Sequence, residues 1–382
     1  MNEMSGARGR GIAILGSTGS IGRSTLDVLR RQREHFRVVA LTGGRNAQEL
    51  DAQIAEWSPA FAGLAGGNGG SRLPVGARVL VDAATHPDVE IVVNAVVGAA
   101  GLDATIAALR AGKRVALANK ESLVMAGELV AEAVREGGGE VVPVDSEHSA
   151  VLQCVTGQRE TLCRLILTAS GGPFREWDAD RLRRATVAEA LAHPTWRMGP
   201  KITVDSATLA NKALEVIEAH FLFGLSYDAL EAVVHPQSIV HAFAEFCDGS
   251  VIAQVGFPSM ELPILYALTH PHRLPDAGVR RFDPVAASPL TFELVRRDVF
   301  RAFHAGVEAG RAGGTAPAVF NAANEEAVAA FLDGRITFGR ISEIIEAVLD
   351  GHDTRPASDV ATVRDADRQA RQQARTRVAQ AC

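Results

Sequence analysis

Acidic residues follow one of the predicted strands of this 382-residue chain. Val141–Val144 is predicted as a strand, and Asp145 and Glu147 come after it, two residues apart. An extended backbone points both side chains to one side, so both carboxylates can face one ligand. Two carboxylates without a pair of histidines or cysteines indicate an oxygen-liganded ion such as Mg²⁺ or Mn²⁺. Taken alone, the spacing is more typical of a solvated acidic turn.

A strongly amphipathic helix is predicted over Ser206–Phe223, with Asp205 as its N-cap. Asn211 and Glu215 are four residues apart and share one face of this helix, and Lys212 lies beside Asn211. Glu215 can complete a three-carboxylate site with the two acids after the strand, while its two neighbours face an anion. The alternative interpretation is the solvated face of a surface helix.

A glycine-rich turn, Gly16–Gly22, follows the predicted strand Gly11–Leu15 and precedes a predicted helix, Ser24–Arg31. Glycines let the backbone approach a pyrophosphate, and the helix N-terminus supplies N–H donors. The strand before and the helix after favour dinucleotide binding over an unliganded tight turn.

The end of the second predicted strand, Val38–Leu41, distinguishes NADP from NAD. An acid there would bind the ribose hydroxyls, whereas a cation accommodates the 2′-phosphate. Gly43 and Gly44 are followed by Arg45 and no acid, so NADP is predicted. An arginine at the protein surface is the alternative.

Two further segments have residue types that suit a binding site. Ser170 stands before two glycines after a predicted strand, which indicates a phosphate nest. His193–Gly199 is a predicted loop with two large apolar side chains, Trp196 and Met198, and such a loop often closes over chemistry as a lid. An ordinary surface histidine and a tryptophan buried in the core are the alternatives.

These candidate residues must be positioned by alternating strands and helices in the first third of the chain. Such alternation predicts a parallel sheet covered on both faces. Further predicted strands in this part are Val79–Val81, Ile91–Val97 and Val115–Ala118, and the predicted helices are Asn46–Trp57, Leu102–Ala111 and Ser122–Glu136. The glycine-rich stretch Gly63–Gly76 is predicted to be a mobile surface loop.

The pattern changes after Val144 to mixed strands and helices, and then to helices alone. The predicted strands are Leu165–Leu167, Ile202–Val204, Ile239–Phe246 and Val251–Val255, and the predicted late helices are Phe292–Ala309, Ala316–Asp333 and Ile341–Asp350. The proline-rich Pro271–Pro289 is typical of a linker. The polar tail, Arg355–Cys382, is predicted as an exposed or frayed helix.

Composition limits the classes of function. The net charge of −6 means that an anionic substrate needs a local basic pocket, and the lack of a basic stripe argues against nucleic acid. Four cysteines without C-x-x-C spacing, a short polar N-terminus and the lack of a long apolar stretch together predict a cytoplasmic protein with reduced thiols and no membrane segment.

The chain resembles the 1-deoxy-D-xylulose 5-phosphate reductoisomerase family from about residue 11 to about residue 350. Each motif is only modestly specific, whereas the ordered set is highly specific. The motifs are Gly16–Gly22, Leu117–Val124, Val144–Ala150, Ser170–Phe174, His193–Met198, Lys201–Glu215, His235–Ser238 and Asn321–Glu325.

The resemblance implies an α/β fold with an N-terminal Rossmann-like parallel sheet, a central α+β catalytic domain and a C-terminal helical domain. The implied divisions are an NADPH-binding domain (1–144), a catalytic domain with a lid (145–273), a linker (274–291) and a helical domain (292–382). It also implies a homodimer that converts 1-deoxy-D-xylulose 5-phosphate to 2-C-methyl-D-erythritol 4-phosphate for isoprenoid synthesis. A metal-assisted retro-aldol and aldol sequence would precede hydride transfer from NADPH.

The resemblance also implies roles for individual residues. Catalysis is expected at Lys120, Glu147, His193 and Trp196. The implied ligands of a divalent cation (Mg²⁺, Mn²⁺ or Co²⁺) are Asp145, Glu147 and Glu215. The substrate is expected to contact Lys120, Ser146, Glu147, Ser170, His193, Ser206, Asn211, Lys212 and Glu215. NADPH is expected to contact Thr18, Gly19, Ser20, Ile21, Gly44, Arg45, Asn46, Asn119, Glu121 and Gly199, and His148 and His235 would flank the site.

Two other classes of function compete with this interpretation. A different Rossmann reductase, such as a semialdehyde or homoserine dehydrogenase, would share the glycine turn. The semialdehyde enzymes need a nucleophilic cysteine, for which neither Cys154 nor Cys163 has a suitable setting. A redox-sensing NADP-binding regulator would leave the three carboxylates and the tryptophan loop unexplained.

Overall fold

The computed structural model describes residues 9–67 and 72–381. The chain divides into two compact units. The first comprises Met1–Ser122, Val130–Ser149 and Ser259–Arg280, and the second comprises Leu123–Leu129, Ala150–Pro258 and Arg281–Cys382. Among the described residues, every helix is too short or too polar to span a lipid bilayer.

The helices and strands are numbered along the chain. The strands are β1 (Arg10–Leu15), β2 (Phe36–Gly43), β3 (Phe61–Leu64), β4 (Ile91–Asn94), β5 (Arg114–Leu117), β6 (Glu140–Pro143), β7 (Leu162–Ala169), β8 (Leu230–Val234), β9 (Val240–Phe246), β10 (Val251–Val255) and β11 (Glu293–Leu294). The helices are α1 (Ser20–Arg31), α2 (Ala47–Trp57), α3 (Arg78–Thr85), α4 (Leu102–Arg110), α5 (Lys120–Gly137), α6 (Ser146–Val155), α7 (Ala179–Arg183), α8 (Val187–Leu191), α9 (Pro200–Thr208), α10 (Ala210–Phe223), α11 (Glu261–Thr269), α12 (Pro284–Ala287), α13 (Arg301–Ala312), α14 (Ala316–Leu332), α15 (Phe338–Asp350) and α16 (Val360–Ala381).

The first unit contains the predicted parallel sheet, in the order β3-β2-β1-β4-β5-β6. All of its strand pairs are parallel, so the carboxyl ends of the strands lie along one edge. Strand β1 is apolar and buried from Gly11 to Leu15, as expected for a strand covered on both faces. The Rossmann-like fold predicted for this part of the chain is confirmed.

One predicted strand of the first unit is wrong. Val79–Val81 lies within helix α3, where Val79, Leu80, Ala83 and Ala84 are buried. These positions recur at the spacing of one helical face, and the short apolar run concealed that period. The strand that the sequence did not predict is β3. It pairs with β2 and ends inside the stretch predicted to be a mobile loop. Residues 68–71 of that stretch lie outside the described part of the chain.

The second unit contains a mixed sheet in the order β10-β9-β7-β8-β11. Strands β7 and β8 are parallel, and the other neighbouring pairs are antiparallel. Its core also takes in the late helices, whose buried apolar residues form one cluster with those of the sheet and of α9 and α10. The predicted α+β region followed by helices is therefore confirmed. The first late helix begins at Arg301, nine residues after its predicted start at Phe292.

The prediction of one long helix over Ser206–Phe223 is wrong. Helix α9 begins at Pro200 and includes the predicted strand Ile202–Val204, and Asp205 lies inside this helix instead of capping it. The break comes at Leu209, whose φ of +58° is in the left-handed region. A new helix, α10, begins at the next residue. Proline favours the first turn of a helix, and here Pro200 marks the start that the apolar pattern missed.

The polar tail forms the packed helix α16, so the prediction of an exposed or frayed segment is wrong. Val363, Ala366, Ala370, Ala374 and Val378 are all buried. Their spacing of three or four residues makes a narrow stripe on one face. Because most members are alanine, the stripe adds little hydrophobicity to the sequence, and only its packing against α14 and α15 shows its role. The boundaries predicted for three domains and a linker stay predictions.

Candidate functional site

In the first unit, the glycine turn has the close backbone approaches that its sequence predicts. Gly16 has a φ of +82°, and a Cβ atom there would lie 2.7 Å from the carbonyl oxygen of Ala95. A Cβ at Gly22 would lie 2.4 Å from the carbonyl oxygen of Gly16. Helix α1 begins at Ser20, so its first N–H groups lack partners within the helix. The turn is therefore built to present backbone donors to an anion.

The predicted 2′-phosphate partner, Arg45, lies two residues after the end of β2 and is exposed. Its guanidinium makes no ion pair or hydrogen bond with the described residues. Asn46 caps α2 by accepting a hydrogen bond from the Glu49 N–H at 3.2 Å. Gly44 has no atom within 4 Å of where a Cβ would lie, so this corner is open to a ligand.

Asn119 holds the loop after β4 in place. Its side-chain amide donates to the carbonyl oxygens of Val96 at 2.8 Å and Gly98 at 2.9 Å, and to the Glu121 carboxylate at 2.9 Å. Asn94, which is not among the predicted site residues, donates to the Gly101 carbonyl oxygen at 3.0 Å. An amide at the end of a buried apolar strand was the signal that could have identified it.

At the carboxyl end of β6, the predicted acids lie beside Lys120. The Lys120 ammonium, at the start of α5, pairs with Asp145. Carboxylate oxygens of Asp145 and Glu147 lie within 4.8 Å of each other, and the Ser146 hydroxyl donates to Glu147. Both Ser146 and Glu147 lie in the first turn of α6, where the helix dipole stabilises negative charge. The first unit thus brings together four predicted residues, namely Lys120, Asp145, Ser146 and Glu147. The two carboxylates among them are the hard oxygen donors that a divalent cation prefers.

In the second unit, Ser170, His193 and Ser206 converge from three segments. His193 Nε2 lies 3.0 Å from Ser170 Oγ and 3.1 Å from Ser206 Oγ. Gly172 follows Ser170 with a φ of +63°, and a Cβ there would lie 2.7 Å from the Ser206 carbonyl oxygen. The glycine is needed for the serine segment to lie against α9. The cluster offers neutral hydrogen-bond donors to an anion.

The ring of His193 is held in one orientation. Its Nδ1 accepts backbone N–H groups from Trp196 at 2.8 Å and Thr195 at 3.1 Å. Burial lowers the pKa of His193 to about 4, so the ring is neutral at pH 7. Because Nδ1 is an acceptor, the proton of the neutral ring is on Nε2, which faces the two serine hydroxyls. Trp196 is half-buried, and its role as a lid stays a prediction.

Helix α10 holds a second lysine–carboxylate pair. Lys212 pairs with Glu215, and the two side chains are only 3% and 1% exposed. Lys212 also donates to the Thr168 carbonyl oxygen at 2.5 Å, and the Asn211 amide donates to Glu215. The prediction that Asn211 and Glu215 share a face is confirmed by this bond. The alternative of a solvated helix face is wrong, because Lys212 and Glu215 are buried.

The two histidines expected to flank the site differ in setting. His148 is fully buried in α6, with Nδ1 3.6 Å from the Asp145 carboxylate. His235 uses both ring nitrogens on the backbone: Nδ1 lies 2.8 Å from the Thr291 carbonyl oxygen, and Nε2 accepts the Ile239 N–H at 3.1 Å. His235 therefore has a structural role in the second unit. Gly199, predicted to contact NADPH, is exposed at the N-cap of α9.

Family models match most of the chain. The model described as 1-deoxy-D-xylulose 5-phosphate reductoisomerase matches residues 12–127. The model for the C-terminal domain of 1-deoxy-D-xylulose 5-phosphate reductoisomerase matches residues 141–223. A further model, described as DXP reductoisomerase C-terminal domain, matches residues 255–373. The matched ranges include nearly all of the predicted site residues.

Named relatives are similar over nearly their whole length. The chain is 49% identical to 1-deoxy-D-xylulose 5-phosphate reductoisomerase of Heliobacterium modesticaldum, covering 96% of this chain and 97% of the relative. Among solved structures, it resembles the enzyme of Zymomonas mobilis in complex with NADPH, at 40% identity and a TM-score of 0.89, covering 97% and 99%. It also resembles a DOX-P reductoisomerase in complex with NADPH, fosmidomycin and magnesium, at 37% identity and a TM-score of 0.91, covering 97% and 98%.

Proposed function

The chain belongs to the 1-deoxy-D-xylulose 5-phosphate reductoisomerase family, and we propose that the clusters described above carry out that family's reaction. It is an NADPH-dependent enzyme that converts 1-deoxy-D-xylulose 5-phosphate to 2-C-methyl-D-erythritol 4-phosphate in isoprenoid synthesis. The observation that carries the residue assignment is the pair Asp145 and Glu147 after β6, in the same unit as the glycine turn. Parallel sheets bind ligands at this edge.

NADPH binding is assigned to residues at the carboxyl edge of the parallel sheet and to one residue of the second unit. The assignment is supported by the donors at the start of α1 and by the exposed guanidinium of Arg45, which suits a 2′-phosphate. When bound, NADPH supplies the hydride for reduction. The proposed contacts are Thr18, Gly19, Ser20, Ile21, Gly44, Arg45, Asn46, Asn119, Glu121 and Gly199.

Asp145, Glu147 and Glu215 are proposed to hold a divalent cation, namely Mg²⁺, Mn²⁺ or Co²⁺. The proposal is supported by the chemistry of the donors, which are three carboxylates, and by the magnesium present in three similar structures. A bound divalent cation supplies a Lewis acid that polarises a carbonyl oxygen. Lys120 orients the Asp145 carboxylate, and Lys212 does the same for Glu215.

The substrate phosphate is proposed to bind in the second unit, at Ser170, Ser206, Asn211 and Lys212. This assignment is supported by the convergence of two hydroxyls on His193 and by a local lysine in a chain whose net charge is negative. Similar structures contain fosmidomycin, a small-molecule ligand. Lys120, Ser146 and Glu147 are proposed to contact the rest of the substrate.

His193 and Trp196 are proposed as catalytic residues of a closing loop. The neutral His193 ring donates from Nε2 toward the serine cluster, so an anion there gains a donor without a proton transfer. Trp196 follows on the same loop, where an indole ring can exclude water. Exclusion of water favours a retro-aldol cleavage followed by aldol recombination, because the two fragments stay together until reduction.

The activity is tested by following NADPH absorbance with purified protein. NADPH should be consumed only when 1-deoxy-D-xylulose 5-phosphate and Mg²⁺ are both present. Consumption that persists in excess EDTA would contradict the metal assignment. Consumption without the sugar phosphate would contradict the substrate assignment, and product identification by NMR separates reduction from rearrangement plus reduction.

A cytoplasmic homodimer is also proposed. Val251 and Ile252 are exposed on β10, the edge strand of the second sheet, at 51% and 39%. An exposed apolar edge is a ready surface for a second copy. The thiols of Cys163 and Cys247 are exposed and unbridged, which fits a reducing compartment. Light scattering on a Val251→Lys variant tests the dimer: a monomer is expected, and an unchanged mass would contradict the proposed interface.

A further inference from the structure

A buried polar pair joins α9 to α14 within the second unit. Asp205 on α9 is 1% exposed, and Asn324 in the middle of α14 is fully buried. The Asn324 amide donates from Nδ2 to Asp205 Oδ1 at 2.9 Å. On the other side, Lys201 Nζ lies 2.8 Å from Asp205 Oδ2. Asp205 thus has one partner on its own helix and one from a helix far along the chain.

The two partners of Asp205 have different consequences. Lys201 is four residues earlier on the same helix, so this pair persists wherever α9 moves. The bond from Asn324 exists only when α9 is correctly placed and rotated against α14. Leaving a buried carboxylate without its hydrogen bond is costly, so a shift of α9 is penalised. Asn324 therefore selects one position of α9.

That position determines the geometry of the serine cluster. Ser206 is the residue after Asp205 on α9. Successive residues are rotated by about 100° around a helix, so the Ser206 side chain points in a different direction from that of Asp205. Ser206 Oγ is 3.1 Å from His193 Nε2, and the Ser206 backbone is where Gly172 makes its close approach. Helix α9 also leads through Leu209 into α10, which begins one residue before Asn211.

Helix α14 is itself tied to the tail helix. Asn321 donates to Glu325 on the same helix at 3.1 Å, and Arg371 of α16 pairs with Glu325 at 2.7 Å. The motif Asn321–Glu325 has no assigned role in the reaction. Its two asparagines make hydrogen bonds with different helices. One asparagine reaches the site helix α9, and the other stays within α14.

We propose that Asn324 is a positioning residue for the substrate-phosphate subsite. It holds Asp205, and through it α9, so that the Ser206 hydroxyl lies beside His193 and Ser170. The inference rests on the proposed function, because it assumes that these hydroxyls bind the phosphate. Asn324 acts only through Asp205.

The test compares Asn324→Leu with Asn321→Leu. Both asparagines are fully buried on the same helix, and both replacements keep the branched shape of the side chain while removing the amide. Asn324→Leu should raise the KM for 1-deoxy-D-xylulose 5-phosphate about tenfold, the factor that about 1.4 kcal/mol represents. Its KM for NADPH should stay within about twofold, well under that factor. Asn321→Leu should lower the Tm and leave both KM values near wild type.

A double variant that exchanges the two side chains distinguishes loss of the hydrogen bond from general damage to the core. Asp205→Asn combined with Asn324→Asp restores an amide-to-carboxylate bond with reversed direction, and should recover much of the low KM. If Asn324→Leu does not fold, Asn324→Ser is measured instead, since its side chain is too short to make the bond. An unchanged KM in the folded variant, or an equal rise in Asn321→Leu, would overturn the inference.

Ser206→Ala separates this inference from the proposed function. If Ser206→Ala raises the KM for the sugar phosphate and Asn324→Leu does not, the phosphate subsite stands and the positioning role is wrong. If Ser206→Ala leaves that KM unchanged, the phosphate assignment is wrong, and the inference that depends on it is overturned too.

Discussion

Two lysine–carboxylate pairs of the proposed site, one in each unit, are built in different ways. Lys212 and Glu215 lie three residues apart on one helix, with side chains 3% and 1% exposed. Lys120 and Asp145 come from two segments, and their side chains are 9% and 15% exposed. A nearly dry pair depends on both members, because removing one leaves the other charge buried and uncompensated. Where water can reach the pair, solvation partly compensates the charge that remains when one member is removed.

The difference indicates how each unit combines chemistry with stability. In the second unit, Lys212, assigned to the phosphate, and Glu215, assigned to the metal, are buried on a helix whose apolar residues belong to the core. In the first unit, the cofactor turn, Arg45 and the acids after β6 lie at a sheet edge that keeps some access to solvent. Substitutions in the second unit should therefore change kinetics and stability together. Substitutions at the open positions of the first unit should change kinetics alone.

The largest effect is expected for Glu215→Gln. The amide removes a charge from the proposed metal site and leaves the buried Lys212 ammonium without its opposite charge. The kcat should fall at least about 100-fold, with partial rescue by higher Mn²⁺ concentrations, and the Tm should fall too. Glu218→Gln is the matched control, a buried glutamate one turn later, and it should keep kcat. Equal loss of kcat in both variants would contradict the metal assignment.

A smaller effect is expected for Lys212→Ala. Loss of a charge-assisted contact to phosphate, worth roughly 1.5–3 kcal/mol, should lower kcat/KM by at least about tenfold, mainly through KM. Lys113→Ala is the control, because Lys113 is another buried lysine, in the first unit, and donates to the backbone at His86. It should lower the Tm without changing KM. A near-wild-type KM for Lys212→Ala would mean that this lysine is purely structural.

Arg45→Asp tests the open edge of the first unit. A carboxylate suits the ribose hydroxyls and repels a 2′-phosphate, so the NADPH/NADH ratio of kcat/KM should fall by about tenfold or more. The Tm should stay within about 1–2 °C of wild type, because Arg45 is exposed. Arg37→Asp, at the other end of β2, controls for the added charge. A ratio that changes by less than about threefold would show that Arg45 does not discriminate.

The smallest effect concerns the pH dependence of stability from His193, whose pKa burial lowers to about 4 from 6.5. Between these values, the unfolded chain binds a proton that the folded protein does not bind, so stability falls as the pH drops through this window. Above it, the group contributes no pH dependence. His193→Gln should therefore have a shallower decline of Tm from pH 6.5 to pH 4.5. An NMR titration of the His193 ring with a midpoint above pH 6 would contradict the burial argument.

Features that depend on neighbours along the chain were predictable from the sequence. The alternation of strands and helices, the turn Gly16–Gly22, and the acids two residues apart after β6 all follow from local rules of backbone geometry. The shared face of Asn211 and Glu215 belongs to the same class, because helical spacing alone brings them together. These patterns also carried the resemblance to the family, and the comparisons confirmed it.

Other features needed the tertiary structure, since their causes lie far along the chain. Asp205 has the residue type and local position of an N-cap, yet it is buried inside α9 against Asn324, 119 residues away. The stripe of α16 is buried only because α14 and α15 cover alanines that carry little hydrophobicity of their own. The low pKa of His193 likewise comes from burial, which the sequence does not contain. Spacing determined which side chains could act together, and packing decided which of them are buried and how they are charged.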